Sequence, residues 1–136
     1  MGTYGFVEPV IDPDAAEFWH GVAERRLLVP TCDNGHAFFP PMPCCPVCQS
    51  SVIELHEASG RGSLYSWIVV HRGLDPVFAD DVPYIVGAVQ LAEGARIFSR
   101  IVEADVATLR DAMPLTLTWV EPEGHTMWAF RPEATP

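Results

Sequence analysis

The segments Cys32-Asp-Asn-Gly-His36 and Cys44-Cys45-Pro-Val-Cys48 contain all four cysteines of the chain. In the second segment, a C-x2-C turn that Pro46 pre-sets directs two sulfurs at one cation. In the first segment, Gly35 stands where a C-x2-C pair would place its second cysteine, and His36 follows it; zinc accepts imidazole as well as thiolate. The spacing therefore predicts a structural zinc site. Its ligands would be Cys32, His36, Cys45 and Cys48, with Cys44 as a spare. The alternative is a ribbon that keeps its shape by packing around ordinary buried thiols.

The segment before the first knuckle predicts a helix from Asp12 to about Arg26. Asp12 is a favourable cap, and Pro13 suits the first turn. Apolar side chains recur at helical spacing, namely Ala15, Phe18, Trp19, Val22 and Ala23. We expect Phe18, Trp19 and Val22 to contact a partner protein. The alternative is that this stripe packs on the chain's own ribbon.

A short strand at 27–29 leads into the first knuckle, and strand patterns dominate the chain after residue 52. They cover 62–71, 84–91, 95–102, 115–120 and 126–130, and a short helical segment is expected at 105–112. Five strands with a helical insert between the third and fourth indicate a closed barrel of the OB type. The predicted fold is therefore mainly β, with an N-terminal helix, a rubredoxin-like zinc ribbon and a five-stranded OB-fold barrel. The expected domains are 1–28 for the N-terminal extension and helix, 29–51 for the ribbon and 52–136 for the barrel.

The net charge of −10 comes from 18 acidic residues and 8 basic ones, and all the basic residues are arginines. Such an acidic surface repels phosphate backbones, which disfavours nucleic acid as a partner. Without lysine the chain cannot form a Schiff base of its own. It also lacks a long apolar stretch or a signal-like N-terminus, so we expect a soluble cytoplasmic protein with no membrane partner. Cytosolic thiols stay reduced, which favours metal binding over disulfides.

The order of four segments resembles the acyl-CoA-associated ribbon-plus-OB-fold family known as domain of unknown function thirty-five. The segments are Leu27-Leu28-Val29, Phe39-Pro40-Pro41 between the knuckles, Gly62-Ser-Leu-Tyr-Ser-Trp-Ile-Val-Val-His71-Arg72, and Val82-Pro-Tyr-Ile-Val-Gly-Ala-Val-Gln-Leu-Ala-Glu-Gly94. The likeness extends from Phe18 to Val120. The chain departs from the family's usual four-cysteine ribbon at Gly35 and His36.

Members of this family accompany thiolase-like proteins in acyl-CoA chemistry. Some partners are acyltransferases, and others are aldolases that act on steroid or fatty-acyl CoA thioesters. The resemblance implies a non-catalytic accessory subunit that binds a thiolase-like protein and helps to bind or channel its acyl-CoA substrate. A hydratase-like protein is a second candidate partner. No recognisable motif in this sequence places a nucleophile beside a base, which agrees with an accessory role.

Arginine and histidine side chains on the predicted barrel are candidates for contacts with CoA phosphates. His71 and Arg72 end a long strand and precede the loop 73–81, and arginine can bind phosphate in a bidentate manner. The other candidates are Arg61, Arg96 and Arg100. The alternative is that His71 and Arg72 pair with acidic residues of the following loop, Asp75, Asp80 or Asp81.

Two other functions compete with the accessory role. Zinc ribbons and OB-folds both occur in nucleic-acid-binding modules, although the charge disfavours this. The irregular first knuckle also allows a self-sufficient metal-dependent acyl-CoA hydrolase or lyase whose metal keeps an open coordination position. A closed site with four protein ligands would favour a structural metal instead.

Overall fold

A computed structural model describes residues 4–73 and 75–133 of the chain. Its first regular element is a single 3-10 turn, Pro13–Ala15, that continues into helix α1, Ala16–Ala23. The predicted cap is confirmed, because the Asp12 carboxylate accepts a hydrogen bond from the Ala15 amide at 3.0 Å. The helix ends at Ala23 rather than near Arg26. Arg25 adopts a φ of 59°, and the Arg26 amide bonds back to the Gly21 carbonyl at 2.8 Å, which closes the helix C-terminus.

The ribbon is built on a two-stranded antiparallel sheet of β1, Leu28–Cys32, and β2, Ile53–Glu57. Both knuckles lie between these strands, and the register places Cys32 opposite Ile53. β2 was not predicted from the sequence, and its residues were expected to belong to the barrel domain. Because β2 pairs with β1, residues 53–57 form part of the ribbon sheet.

The remaining strands close into a barrel in the order β3-β4-β5-β7-β6, with β6 pairing back onto β3. Their bounds are β3 Arg61–Val70, β4 Tyr84–Leu91, β5 Arg96–Ile101, β6 Pro114–Val120 and β7 Met127–Pro132. Neighbouring strands are antiparallel except β5 and β7, which pair in parallel. The predicted five-stranded OB-fold barrel is thus confirmed.

The segment 105–112 is not the helical segment that the sequence predicts. It forms one 3-10 turn, Val106–Thr108, and Leu109 already has an extended backbone. The chain then returns to the barrel, where the Ala112 amide donates to the Leu64 carbonyl at 2.9 Å and the Leu64 amide donates to the Met113 carbonyl at 2.9 Å. These long-range backbone bonds compete with continuation of the helix.

One hydrophobic core joins the helix, the ribbon sheet and the barrel. The barrel interior contributes fully buried side chains such as Leu64, Val89 and Phe130, and the same cluster includes Phe18 of α1 and Val29 of β1. A second, smaller cluster inside the ribbon consists of Cys32, Phe38 and Cys45, with Met42 and Ile53 packed against it. The described part of the chain contains no helix with the length and apolar character needed to cross a membrane.

Candidate functional site

The four predicted metal ligands lie together at the tip of the ribbon. One ligand atom each from Cys32, His36, Cys45 and Cys48 fits into a group whose members all lie within 4.8 Å of one another. The Cys32 and Cys48 sulfurs are 3.7 Å apart, and His36 Nδ1 lies 3.4 Å from the Cys32 sulfur and 3.8 Å from the Cys45 sulfur. The turn after Cys32 and the C-x2-C turn therefore direct their ligand atoms at one point.

This arrangement fits a tetrahedral zinc ion. Zinc–sulfur bonds of about 2.3 Å at tetrahedral angles separate two sulfurs by about 3.8 Å, close to the observed distance between Cys32 and Cys48. Thiolates and imidazole are the ligand types that zinc prefers. Cys44, the predicted spare, is exposed and lies outside the cluster. The geometry thus favours four protein ligands over an open coordination position.

Hydrogen bonds to the sulfurs support the same arrangement. The His36 amide donates to the Cys32 sulfur at 3.4 Å, and the Val47 amide donates to the Cys45 sulfur at 3.4 Å. The Asn34 side chain donates to the Cys48 sulfur at 3.3 Å and is the main reason that the pKa of Cys48 falls to about 6. Burial raises the pKa of Cys32. Asn34 was not identified from the sequence, although a polar residue inside a knuckle is a signal for such a bond.

The five predicted CoA-contacting cations do not form one cluster. Strand β3 has ten residues, which at about 3.3 Å per residue separates its two ends by roughly 30 Å. The register places Arg61 and Arg96 near one end of the barrel, because Gly62 pairs with Leu91 and Gln90 pairs with Arg96. His71, Arg72 and Arg100 lie toward the other end.

Arg100 has a specific carboxylate partner, whereas His71 and Arg72 are exposed. The Arg100 guanidinium donates from Nη1 to Asp81 Oδ2 at 3.0 Å, and the side chains of Arg100 and Asp81 are 17% and 4% exposed. The same guanidinium lies 4.0 Å from the centre of the Tyr84 ring. Arg96 instead stacks over Tyr65 at 3.6 Å and bonds to Gln90. In the described part of the chain, neither His71 nor Arg72 forms an ion pair, so the predicted pairs with the following acidic loop are not seen.

Beside the buried Arg100–Asp81 pair lies a cavity of about 340 Å³. The segment 4–7 borders it on one side, and side chains from the outer face of the barrel border it on the other. This cavity was not predicted from the sequence. The two parts are far apart in the sequence, and they are joined by a hydrogen bond from the Gly5 amide to Asp81 Oδ2 at 2.9 Å. No local sequence pattern predicts such a contact.

The three residues predicted to bind a partner differ in how far they are buried. Phe18 and Val22 are 1% and 2% exposed and belong to the core of the chain. The Phe18 ring meets those of Phe39 and Trp128 at centroid distances of 5.1 and 5.5 Å. Trp19 is half-buried, 5.6 Å from Trp128. The apolar face of α1 therefore packs on the chain's own barrel and ribbon, which corrects the expectation that Phe18 and Val22 face a partner.

Two family descriptions match consecutive parts of this chain. "ChsH2, rubredoxin-like zinc ribbon domain" matches residues 19–54, and "ChsH2, C-terminal OB-fold domain" matches residues 55–120. A DUF35 domain-containing scaffold protein from Pyrococcus furiosus is 31% identical over 103 residues, which cover 75% of each chain. These matches include both the ribbon and the barrel in the order seen in the structure.

A curated relative and a solved structure extend the comparison. The "Probable enoyl-CoA hydratase alpha subunit" of Thermomonospora curvata is 36% identical over 126 residues, which cover 91% of this chain and 39% of the relative. The chain thus spans about two fifths of the length of that protein. In the solved structure "Ltp2-ChsH2(DUF35) aldolase", a chain with 35% identity superposes with a TM-score of 0.82, covering 92% of this chain and 98% of that one.

Proposed function

Because the chain belongs to the DUF35 family of zinc-ribbon and OB-fold proteins, we propose that it is a non-catalytic accessory subunit of an acyl-CoA-processing enzyme. Its partner in this proposal is a thiolase-like protein, either an acyltransferase or an aldolase. The chain binds that partner and helps to bind or channel the acyl-CoA substrate. A hydratase-like protein is a second candidate partner.

The observation that carries the proposal is the structural likeness to one chain of the Ltp2-ChsH2(DUF35) aldolase. The likeness includes nearly the whole of that chain at 35% identity, so the ribbon, the barrel and their packing are all shared. The aldolase is named for two proteins, Ltp2 and ChsH2, and a partner of the Ltp2 type is therefore the first to test. The hydratase relative is much longer than this chain, which makes its activity a weaker guide.

In this proposal the ribbon holds a structural zinc ion through Cys32, His36, Cys45 and Cys48. A ribbon of this size has a small core of its own, and structural zinc contributes about 10–16 kcal/mol of apparent binding free energy in small modules. The bound ion would fix both knuckles relative to β1 and β2. The ribbon then presents a rigid surface to the partner, with the metal serving structure rather than bond breaking.

We assign the contact with CoA phosphates to His71 and Arg72. Both are exposed, so a phosphate can approach them, and arginine offers two parallel N–H donors to a phosphate. Arg100 is less suited to an anion because Asp81 already balances its charge. Arg61 and Arg96 lie toward the opposite end of the barrel, too far away to share a phosphate with His71.

Co-elution tests the partner role. The chain is mixed at micromolar concentration with the thiolase-like protein encoded nearest to its gene, and the mass of each eluting species is measured by light scattering. We expect one complex containing both proteins. The Cys45→Ser variant should lose the complex because the ribbon unfolds, whereas the matched Cys44→Ser variant should keep it. Strictly separate elution of the two wild-type proteins would contradict the proposal.

The CoA assignment has a separate test in the assembled complex. Replacing Arg72 by alanine should raise the KM for the CoA thioester several-fold while kcat changes little, because the lost contact is remote from the reacting carbon. Arg61→Ala is the matched control and should leave KM unchanged. Equal effects of the two substitutions would argue against the assignment.

A further inference from the structure

The cavity beside Arg100 has the size and lining of a small-molecule site. Its volume is about 340 Å³, within the range of roughly 300–1,000 Å³ for ligand pockets. Its walls are mostly apolar and aromatic, with Phe6, Tyr84, Phe98, Met127 and Trp128 among the lining residues. Arg100 is the one cationic side chain among the described residues that line it.

The wall formed by the N-terminal segment is held by specific contacts. The Gly5 amide donates to Asp81 Oδ2 at 2.9 Å, and a Cβ atom at Gly5 would lie 2.3 Å from the Val77 carbonyl oxygen, so only glycine allows this close approach. The Phe6 ring stacks on His125 with a centroid distance of 4.0 Å. The cavity is therefore preformed, and a ligand need not order this wall on binding.

The polar group in the cavity is a guanidinium whose charge is already balanced. Among the described residues, Arg100 donates one side-chain hydrogen bond, to Asp81, whereas a guanidinium carries five N–H donors. Asp81 is almost fully buried and supplies the compensating negative charge. Because the Arg100–Asp81 pair has no net charge, it would attract a second anion only weakly. An uncharged acceptor oxygen can use the remaining donors without adding a buried charge.

We propose that this cavity binds an apolar small molecule that carries a neutral carbonyl oxygen. The carbonyl accepts a hydrogen bond from Arg100, and the apolar body packs among the rings of Phe98, Trp128 and Phe6. An acyl thioester has this chemistry, so the inference rests on the proposed function for the natural ligand and deepens it. The acyl part would occupy this cavity, at the same end of the barrel as His71 and Arg72.

A matched pair of neutral probes tests the proposal on the full chain without a partner. The probes are 2-acetonaphthone and 2-ethylnaphthalene, which are nearly equal in size and differ in the carbonyl group. Binding is followed by NMR through the Trp128 indole N–H, which donates to the Phe98 carbonyl, and the Arg100 side-chain N–H. We expect saturable shifts of both signals, with about 3- to 10-fold tighter binding of the ketone.

Substitutions test whether the NMR shifts arise from binding in the cavity. Phe98 is 74% exposed, so Phe98→Ala should leave the fold intact and weaken binding of both probes several-fold. Arg100→Lys keeps a positive charge beside Asp81 but loses the planar fork of donors, and it should remove most of the preference for the ketone. Ile68→Ala is the control. The Ile68 side chain is exposed on β3 and does not line the cavity. Its removal should therefore leave the affinity for both probes unchanged.

The absence of saturable Trp128 and Arg100 shifts up to the solubility limit of both probes would overturn the proposal. Equal affinity for the two probes, or an unchanged ketone preference in Arg100→Lys, would also overturn it. Because these titrations use the chain alone, their failure is distinct from failure of co-elution with the thiolase-like protein. If the probes bind as expected but the two proteins do not co-elute, the cavity is a ligand site and the proposed partner is wrong.

Discussion

At the scale of single residues, the buried pair of Arg100 and Asp81 connects the N-terminal segment to the barrel. Asp81 accepts hydrogen bonds from both the Arg100 guanidinium and the Gly5 amide. Tyr84 and Tyr4 cover the guanidinium at 4.0 and 5.1 Å from their ring centres. Removing one member of such a pair leaves an uncompensated buried charge, which costs more than the intact pair contributes.

We therefore predict that Asp81→Ala lowers the free energy of unfolding by about 3–5 kcal/mol, measured by urea denaturation. The exposed pair of His56 and Glu54 is the matched control, and Glu54→Ala should change stability by less than about 1 kcal/mol. Similar effects of the two substitutions would show that the Asp81 pair is not the buried contact described here.

His36 is the one imidazole among the four ligand residues of the ribbon cluster. Its Nδ1 atom faces the Cys32 and Cys45 sulfurs, so it occupies the position of the fourth ligand. We predict that His36→Cys retains zinc, because thiolate is an equally good ligand, whereas His36→Ala loses zinc readily to a chelator. Elemental analysis after dialysis against EDTA measures both. Retention of stoichiometric zinc by His36→Ala would exclude the histidine as a ligand.

At the scale of elements, helix α1 is a structural part of the core. Phe18 fills the space between the helix, Phe39 of the inter-knuckle segment and Trp128 of β7. Its side chain is fully buried, whereas His20 on the same helix is exposed. The helix therefore couples the ribbon to the barrel, and Phe18 and Val22 are not available to a partner.

We predict that Phe18→Ala destabilises the protein by about 3–5 kcal/mol through the cavity it creates. The matched His20→Ala substitution should stay within about 0.5 kcal/mol of wild type. Thermal unfolding followed by near-UV circular dichroism compares the two. If Phe18→Ala were as stable as His20→Ala, the helix would not be packed as described.

Sequence patterns predicted the elements that have a clear local signal. β4 is a nearly continuous apolar run that includes Ile85, Val86 and Val89, so a strand was predicted at 84–91 as observed. β2 alternates apolar and polar residues but is only five residues long, and its partner β1 lies on the far side of both knuckles, so the local sequence does not show the pairing. The segment 105–112 has helix-compatible residues, but backbone bonds to Leu64 draw it back to the barrel. The ligand cluster was predictable because knuckle spacing is local, whereas the cavity depends on contacts between Gly5 and Asp81.

At the scale of the whole molecule, half of the eight arginines pair with the chain's own carboxylates. Arg25, Arg26, Arg100 and Arg131 each pair with an acidic residue within the described residues. The chain has eight basic residues and a net charge of −10. The excess of acidic residues therefore opposes a phosphate backbone, although the barrel belongs to a class that often binds nucleic acid.

We predict no measurable binding of a single-stranded oligothymidine at physiological salt, as followed by fluorescence anisotropy. Weak binding at low salt that disappears as salt is added would reflect only non-specific contact. Saturable submicromolar binding at physiological salt would favour the nucleic-acid-binding alternative over the accessory role.

In the proposed function, this chain supports the chemistry of another protein rather than performing it alone. Thioester turnover, measured with the zinc-loaded chain, the thiolase-like protein and their mixture over one series of acyl-CoA substrates, tests it most directly. We expect the mixture to turn over at least one thioester faster than the thiolase-like protein alone, and the isolated chain to have no activity. Turnover by the isolated chain, abolished by chelator and restored by zinc, would contradict it.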